Sequence, residues 1–290
     1  DDAYAEGAET AQLRLLNPAG AVLGAQTTAT LTITDNDAPG APNPIFTTPF
    51  FVRQHYLDFL AREPEVGEPW SAILNGCSDV NNNPSCDRLT VSGAFFGSPE
   101  FLNKGVYVIV FYKVAFSRLP AYAEFAQDLR SVTGATAAET NAKRAAYAAS
   151  FTQRPEFQTA YGGVSNAAYV NALLGRYQLS QITTPDPANP DGTTKVTLTS
   201  AQLTSQLNAG ALTRAQVLRA VVQSDEVSQQ REAVNAFVAA QYYGYLRRTP
   251  EPQGFDNWVN YLTSHPGDFR TMVNGFMNST EYRLRFGPAQ

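Results

Sequence analysis

Two histidines, two cysteines, two methionines and two tryptophans are spread over 290 residues. Each shortage closes off a chemistry. His55 and His265 stand alone and no CxxC pair occurs, so a zinc site has no ligand set. Two isolated imidazoles, neither near a GxSxG motif, leave little scope for a nucleophilic triad. No GxGxxG and no P-loop is present, which removes support for nucleotide binding. Charge is sparse too, at 16% of residues, and 21 basic against 26 acidic side chains give a net −5. No Lys/Arg cluster interrupts the chain, so nucleic acid is not an expected partner. The most apolar run, Val106–Phe111, falls far short of the ~20 residues a membrane span needs. The chain opens on Asp1 with no initiator Met and no charged-then-apolar leader, as expected of a processed export product or a piece of a longer precursor. An enzyme is not expected; a carboxylate pair for glycoside hydrolysis is the one chemistry that linear spacing leaves open.

What is present suffices for two or three domains with real cores: 43% of residues are hydrophobic. The segment between Cys77 and Cys86, SDVNNNPS, is rich in Asn, Pro and Ser and reads as a loop whose ends can meet. A disulfide closing it is preferred over two free thiols, and it implies an oxidising compartment. Secretion, to the cell surface or beyond, is the expected location.

Residues 1–37 carry a different pattern from the rest. Ala11, Leu13 and Leu15 alternate with polar neighbours, and Ala29, Leu31 and Ile33 do the same, the period-two mark of half-buried strands. Asn17-Pro18 and Ala19-Gly20 supply turn chemistry between them. Two strands with one apolar face are not stable alone in water, so that face is expected to be covered by something. Acidic residues gather nearby: Asp1, Asp2, Glu6 and Glu9 on one expected loop, Asp35 and Asp37 after the second strand. Oxygen donors converging from two loops are what Ca²⁺ requires, and the other reading is a solvated acidic rim.

The run from Asp1-Asp2 through Glu6-Gly7, Glu9-Thr10, Asn17-Pro18, Gly24 and ATLTITDND to Asp37 resembles the C-terminal part of a Calx-β domain. The resemblance implies a seven-stranded sandwich of roughly a hundred residues, of which only the last strands are here. It also implies that the six acids sit where the family binds calcium. The missing strands would lie upstream in a longer protein, be left out of this sequence, or come from a neighbouring subunit as in donor-strand assembly.

A Pro-rich linker, 38–50, is expected to separate this segment from a helical repeat domain, 51–287. Phe51-Val52, Tyr56, Phe59-Leu60 and Arg62-x-Pro64 recur as Tyr107-Val108, Tyr112, Ala115-Phe116 and Arg118-x-Pro120, and again as Phe237-Val238, Tyr242, Tyr245-Leu246 and Arg248-x-Pro250. Tyr169-Val170 and Leu174 begin a degenerate unit without Arg-x-Pro. Each unit closes on a similar signature around Glu100, Glu156, Glu226 and Glu281. Four units follow, at about 51–104, 106–160, 166–230 and 234–287. The apolar spacing predicts an amphipathic opening helix in each, ended by Arg-x-Pro, with the Arg reaching the last free carbonyls. Ser98 and Ser279 suit N-caps of short terminal helices, and Thr213 with Gln216 suits a capping box. Trp70 and Trp258 read as anchors of second helices. Residues 183–197, TTPDPANPDGTTKVT, read as a flexible insertion, with Asp186, Asn189 and Asp191 a weaker calcium alternative.

The stretches FVRQHYLDFLAREP, AFFGSPEF and QYYGYLRRTPEPQGFDNWVNYL resemble a bacterial helical domain-of-unknown-function family, itself distantly similar to phycobilisome linker domains. The fold expected is mainly α with a small all-β N-terminal segment. The leading functional expectation is an extracellular or cell-surface structural protein acting by assembly, such as a filament or surface-layer subunit, whose incomplete sandwich is completed by self-association or by an upstream region of the same precursor. A protein- or glycan-binding adhesion module and an accessory C-terminal region of a larger secreted protein are the alternatives.

Overall fold

In a computed structural model the described residues are 3–5, 8–16, 18–38, 40–189 and 194–288. They form fifteen α-helices and two separate two-stranded antiparallel sheets, a mainly helical fold with little β structure. The chain divides into two compact units, Asp1–Phe51 with Asn278–Gln290, and Val52–Met277.

In the first unit, strand β1 (Glu9–Arg14) pairs with strand β2 (Thr28–Ile33). The register sets Ala11 opposite Leu31 and Leu13 opposite Ala29, while Thr10 faces Thr32, Gln12 faces Thr30 and Arg14 faces Thr28. Because side chains alternate along a strand, one face is apolar and the other polar. Leu15 lies just past the end of β1, where its N–H still bonds the Thr27 carbonyl at 2.9 Å. The stretch read as linker contains a 3₁₀ turn, Pro44–Phe46, capped by the Asn43 side chain, and a helix opens at Thr48. Asn43 is buried and its Nδ2 donates to the Arg283 carbonyl at 2.8 Å. The Ala3 N–H donates to the Phe286 carbonyl at 2.7 Å. Chain-end residues thus hold this unit together around the short Thr280–Arg283 helix, N-capped by Ser279.

The second unit carries the repeats. Its core is centred on the Tyr107–Phe116 and Ala233–Leu246 helices, whose middle residues are buried all round. Gly244 allows close approach: a Cβ added there would stand 1.7 Å from the Phe59 ring. Opening helices end on left-handed residues, Ala61 (φ 54°), Ser117 (φ 59°) and Arg247 (φ 49°). This corrects the capping role expected of the following Arg. The Arg62 and Arg248 backbone N–H groups take the Tyr56 and Tyr242 carbonyls, and the guanidinium groups turn to the carbonyl one residue on. The Ser98 cap and the Thr213–Gln216 capping box form as the residue types predict.

The insertion is not a loop. Strands β3 (Gln181–Pro185) and β4 (Lys195–Thr199) make a second antiparallel ribbon, with Ile182 opposite Leu198 and Thr184 opposite Val196. Ile182 and Thr184 are fully buried, and the Thr184 hydroxyl donates to the Ala220 carbonyl at 2.9 Å. Of the insertion's calcium alternative, Asp191 lies outside the described residues.

Candidate functional site

Every residue of β1 and β2 is exposed. On the apolar face Leu13 is 59% exposed, Leu31 51% and Ile33 53%, with Leu15 beside them at 64%. The six residues expected to need cover, Ala11, Leu13, Leu15, Ala29, Leu31 and Ile33, therefore come together as one surface. They form a contiguous apolar patch open to water. Leu16 and Val22, from the connection between the strands, are also exposed.

Of the six acids, Asp1, Asp2 and Glu6 lie outside the described residues. Glu9 is not on a loop but is the first residue of β1, opposite Ile33. Asp35 Oδ1 accepts the Asp37 N–H at 2.9 Å. Among the described residues no three His, Cys, Asp or Glu side chains converge to hold a metal ion, so Glu9, Asp35 and Asp37 alone do not fit calcium.

His55 Nε2 lies 2.8 Å from Ser92 Oγ, which also contacts the Tyr245 hydroxyl. Linear spacing gave no sign of this pairing. His55 and Ser92 have no exposed surface, and burial pushes the Tyr245 phenol well up. Phe59, Phe95 and Tyr245 rings surround the imidazole. A hydroxyl sealed in this way cannot meet a substrate; the trio fills and satisfies the core. His265, by contrast, stacks on Tyr261 at 4.5 Å and is exposed.

In the first two units the recurring Arg and Glu are partners. Arg62 Nε and Nη2 grip Glu100 at 2.7 and 2.8 Å, and Arg118 grips Glu156 at 3.0 and 2.7 Å, both across 38 residues. Each guanidinium also lies over the tyrosine six positions before it, 4.8 Å from Tyr56 and 4.9 Å from Tyr112. Burial opposes ionisation of Glu100, yet hydrogen bonds from Arg62 and Lys104 outweigh it and hold its carboxyl below the usual range. The degenerate unit keeps the Glu and replaces the Arg: Glu226 accepts the Thr183 N–H of β3 at 2.8 Å. The 38-residue Arg-to-Glu spacing is shared by the first two units, whereas Arg248 and Glu281 stand 33 apart and Arg248 pairs with Glu251 at 2.5 Å.

A groove of about 640 Å³ beside the first clamp is lined by Arg62, Glu65, Glu100, Asn103, Lys104 and Thr136, among others. Its charged groups are engaged with one another: Lys104 pairs with Glu100 at 2.5 Å, and Arg62 with Glu65 at 2.6 Å. The sulfurs of Cys77 and Cys86 stand at bonding distance, 1.99 Å, closing the exposed loop that leads to Asp87. Asp87 is fully buried, caps the Arg88–Gly97 helix and pairs with Arg270. No protein-family model matches the chain, and neither does any curated protein or any solved structure.

Proposed function

We propose that this chain is a structural protein of the cell exterior that works by assembly, with the apolar face of the β1–β2 ribbon as its contact surface. The observation that supports this most is the exposure of Leu13, Leu15, Leu31 and Ile33 on one face of a two-stranded sheet whose other face is polar. A ribbon of this size needs a further layer to be stable. The repeat domain acts as a scaffold: Arg62 and Arg118 are engaged in clamps with Glu100 and Glu156, and the His55–Ser92 contact is sealed from substrate. The Cys77–Cys86 bond supports an oxidising location, since such bonds persist outside the reducing cytosol. Calcium held by the full acidic set is part of the proposal; addition of EGTA is then expected to lower the thermal midpoint, and an unchanged midpoint would remove the metal.

The test is light scattering and electron microscopy of the purified chain at rising concentration. Ordered oligomers or filaments are expected, and Leu31→Lys is expected to abolish them. Wild-type particles that stay monomeric at high concentration would sink the proposal.

A further inference from the structure

The ribbon's apolar face carries a pattern that selects its partner, and on the assembly reading above we infer that the partner is the same face of a second copy of this chain. The paired rows alternate in size: Ala11 beside Leu31, then Leu13 beside Ala29. Large and small residues therefore occupy opposite diagonals of a four-residue square. Two such squares placed face to face about a two-fold axis lying between the sheets are self-complementary. With the axis along the strands, β1 of one copy faces β2 of the other, so each Leu31 stands over an Ala11 and each Leu13 over an Ala29. With the axis across the strands, Leu13 meets Ala11 and Leu31 meets Ala29. Every leucine finds an alanine in either arrangement, which is the large-into-small fit that lets two layers interdigitate.

The surroundings agree with this fit. The ends of the face are Glu9 with Ile33 and Leu15 with Thr27, so the one described charge on the face stands at its edge, where it keeps contact with water. Arg14 is on the opposite, polar face. Nothing charged is buried at the centre of the contact, and the result is a four-stranded, two-layer sandwich in which each ribbon is covered on one side. Such a contact is isologous: the same patch is used on both copies, and it closes at two. It makes dimers, and longer assemblies would require a second surface.

The decisive experiment reverses the sign that ordinary stickiness predicts. Ala11→Leu and Ala29→Leu each add apolar surface to an exposed strand position and fill a hole. Sedimentation of the full chain is expected to show a concentration-dependent wild-type dimer whose Kd rises tenfold or more in either variant, because overfilled layers pack worse. Leu31→Lys is expected to leave monomer. Far-UV circular dichroism checks that each variant keeps its fold. If Leu31→Lys is monomeric but Ala29→Leu associates as well as or better than wild type, like-on-like pairing is wrong and the assembly surface stands. If Leu31→Lys associates unchanged, or the wild type shows no dimer, both fall.

Discussion

This chain contains two small antiparallel ribbons of nearly equal size, and they meet opposite fates. In β3–β4 the inward residues Ile182, Thr184 and Leu198 are buried, a Thr184 hydroxyl bonds a helix carbonyl, and Glu226 receives a strand N–H. In β1–β2 no residue is buried, although its apolar alternation is the cleaner of the two. Strand pattern therefore does not decide whether a ribbon is finished. What decides is whether neighbouring elements place partners for its apolar face and its free backbone groups. The second ribbon's apolar face is covered within the chain, and the first ribbon's is exposed.

The comparison can be broken in order of effect. Ile182→Ala should cost about 2–4 kcal/mol in urea unfolding of the second unit, the usual range for emptying a buried aliphatic site. A loss below 1 kcal/mol would mean the β3–β4 ribbon is not packed as described. Glu226→Gln comes next, at about 1–2 kcal/mol, because it removes the charged acceptor of the Thr183 N–H. An equal loss from Glu156→Gln would be unexpected, since the Arg118–Glu156 clamp is largely solvent-exposed and exposed ion pairs contribute about 1 kcal/mol or less.

Acid should act on the second unit through its depressed carboxylates. Burial works against ionisation of Asp87, but the Arg270 and Thr90 hydrogen bonds prevail and its carboxyl lies below the ordinary value; Glu100 behaves alike. A carboxyl with a lowered folded pKa contributes stability above its unfolded value of about 4 and loses it as pH falls through the folded one. Fluorescence of Trp70 and Trp258, both in the second unit, should report a falling urea midpoint below about pH 4 and a flat one from pH 5 to 7. Asp87→Asn should flatten part of that slope. The smallest effect closes the comparison: Leu31→Ala in dilute, monomeric protein should shift stability by no more than about 0.5 kcal/mol, as for an exposed surface site. A shift as large as that of Ile182→Ala would show the first ribbon to be already covered.

Much of this architecture was legible in the residues. Period-two alternation located β1 and β2, the Asn/Pro/Ser loop suggested that Cys77 and Cys86 could meet, and the recurring Tyr, Arg-x-Pro and Glu outlined the units. The β3–β4 ribbon was hidden because Pro185 and Pro187 crowd the end of β3 and its apolar residues are few; tertiary bonds donated to Glu226 and to Ala220 stabilise it instead. The Arg residues were misread as caps, because a sequence displays their recurrence but not the carboxylate 38 residues away. The His55–Ser92 contact was equally invisible, as its two members share no motif and meet only inside the core.

The β3–β4 ribbon apart, the sequence by itself determined the elements and their faces: which strands alternate, which helices are greasy, where the chain must turn. Those are local properties, fixed by the two- and 3.6-residue periods of the backbone. Tertiary structure alone decided which charges would pair, which hydroxyl would be sealed away and which apolar face would remain bare. Each of those depends on distances between residues far apart in the chain, and such distances exist only once the helices have packed.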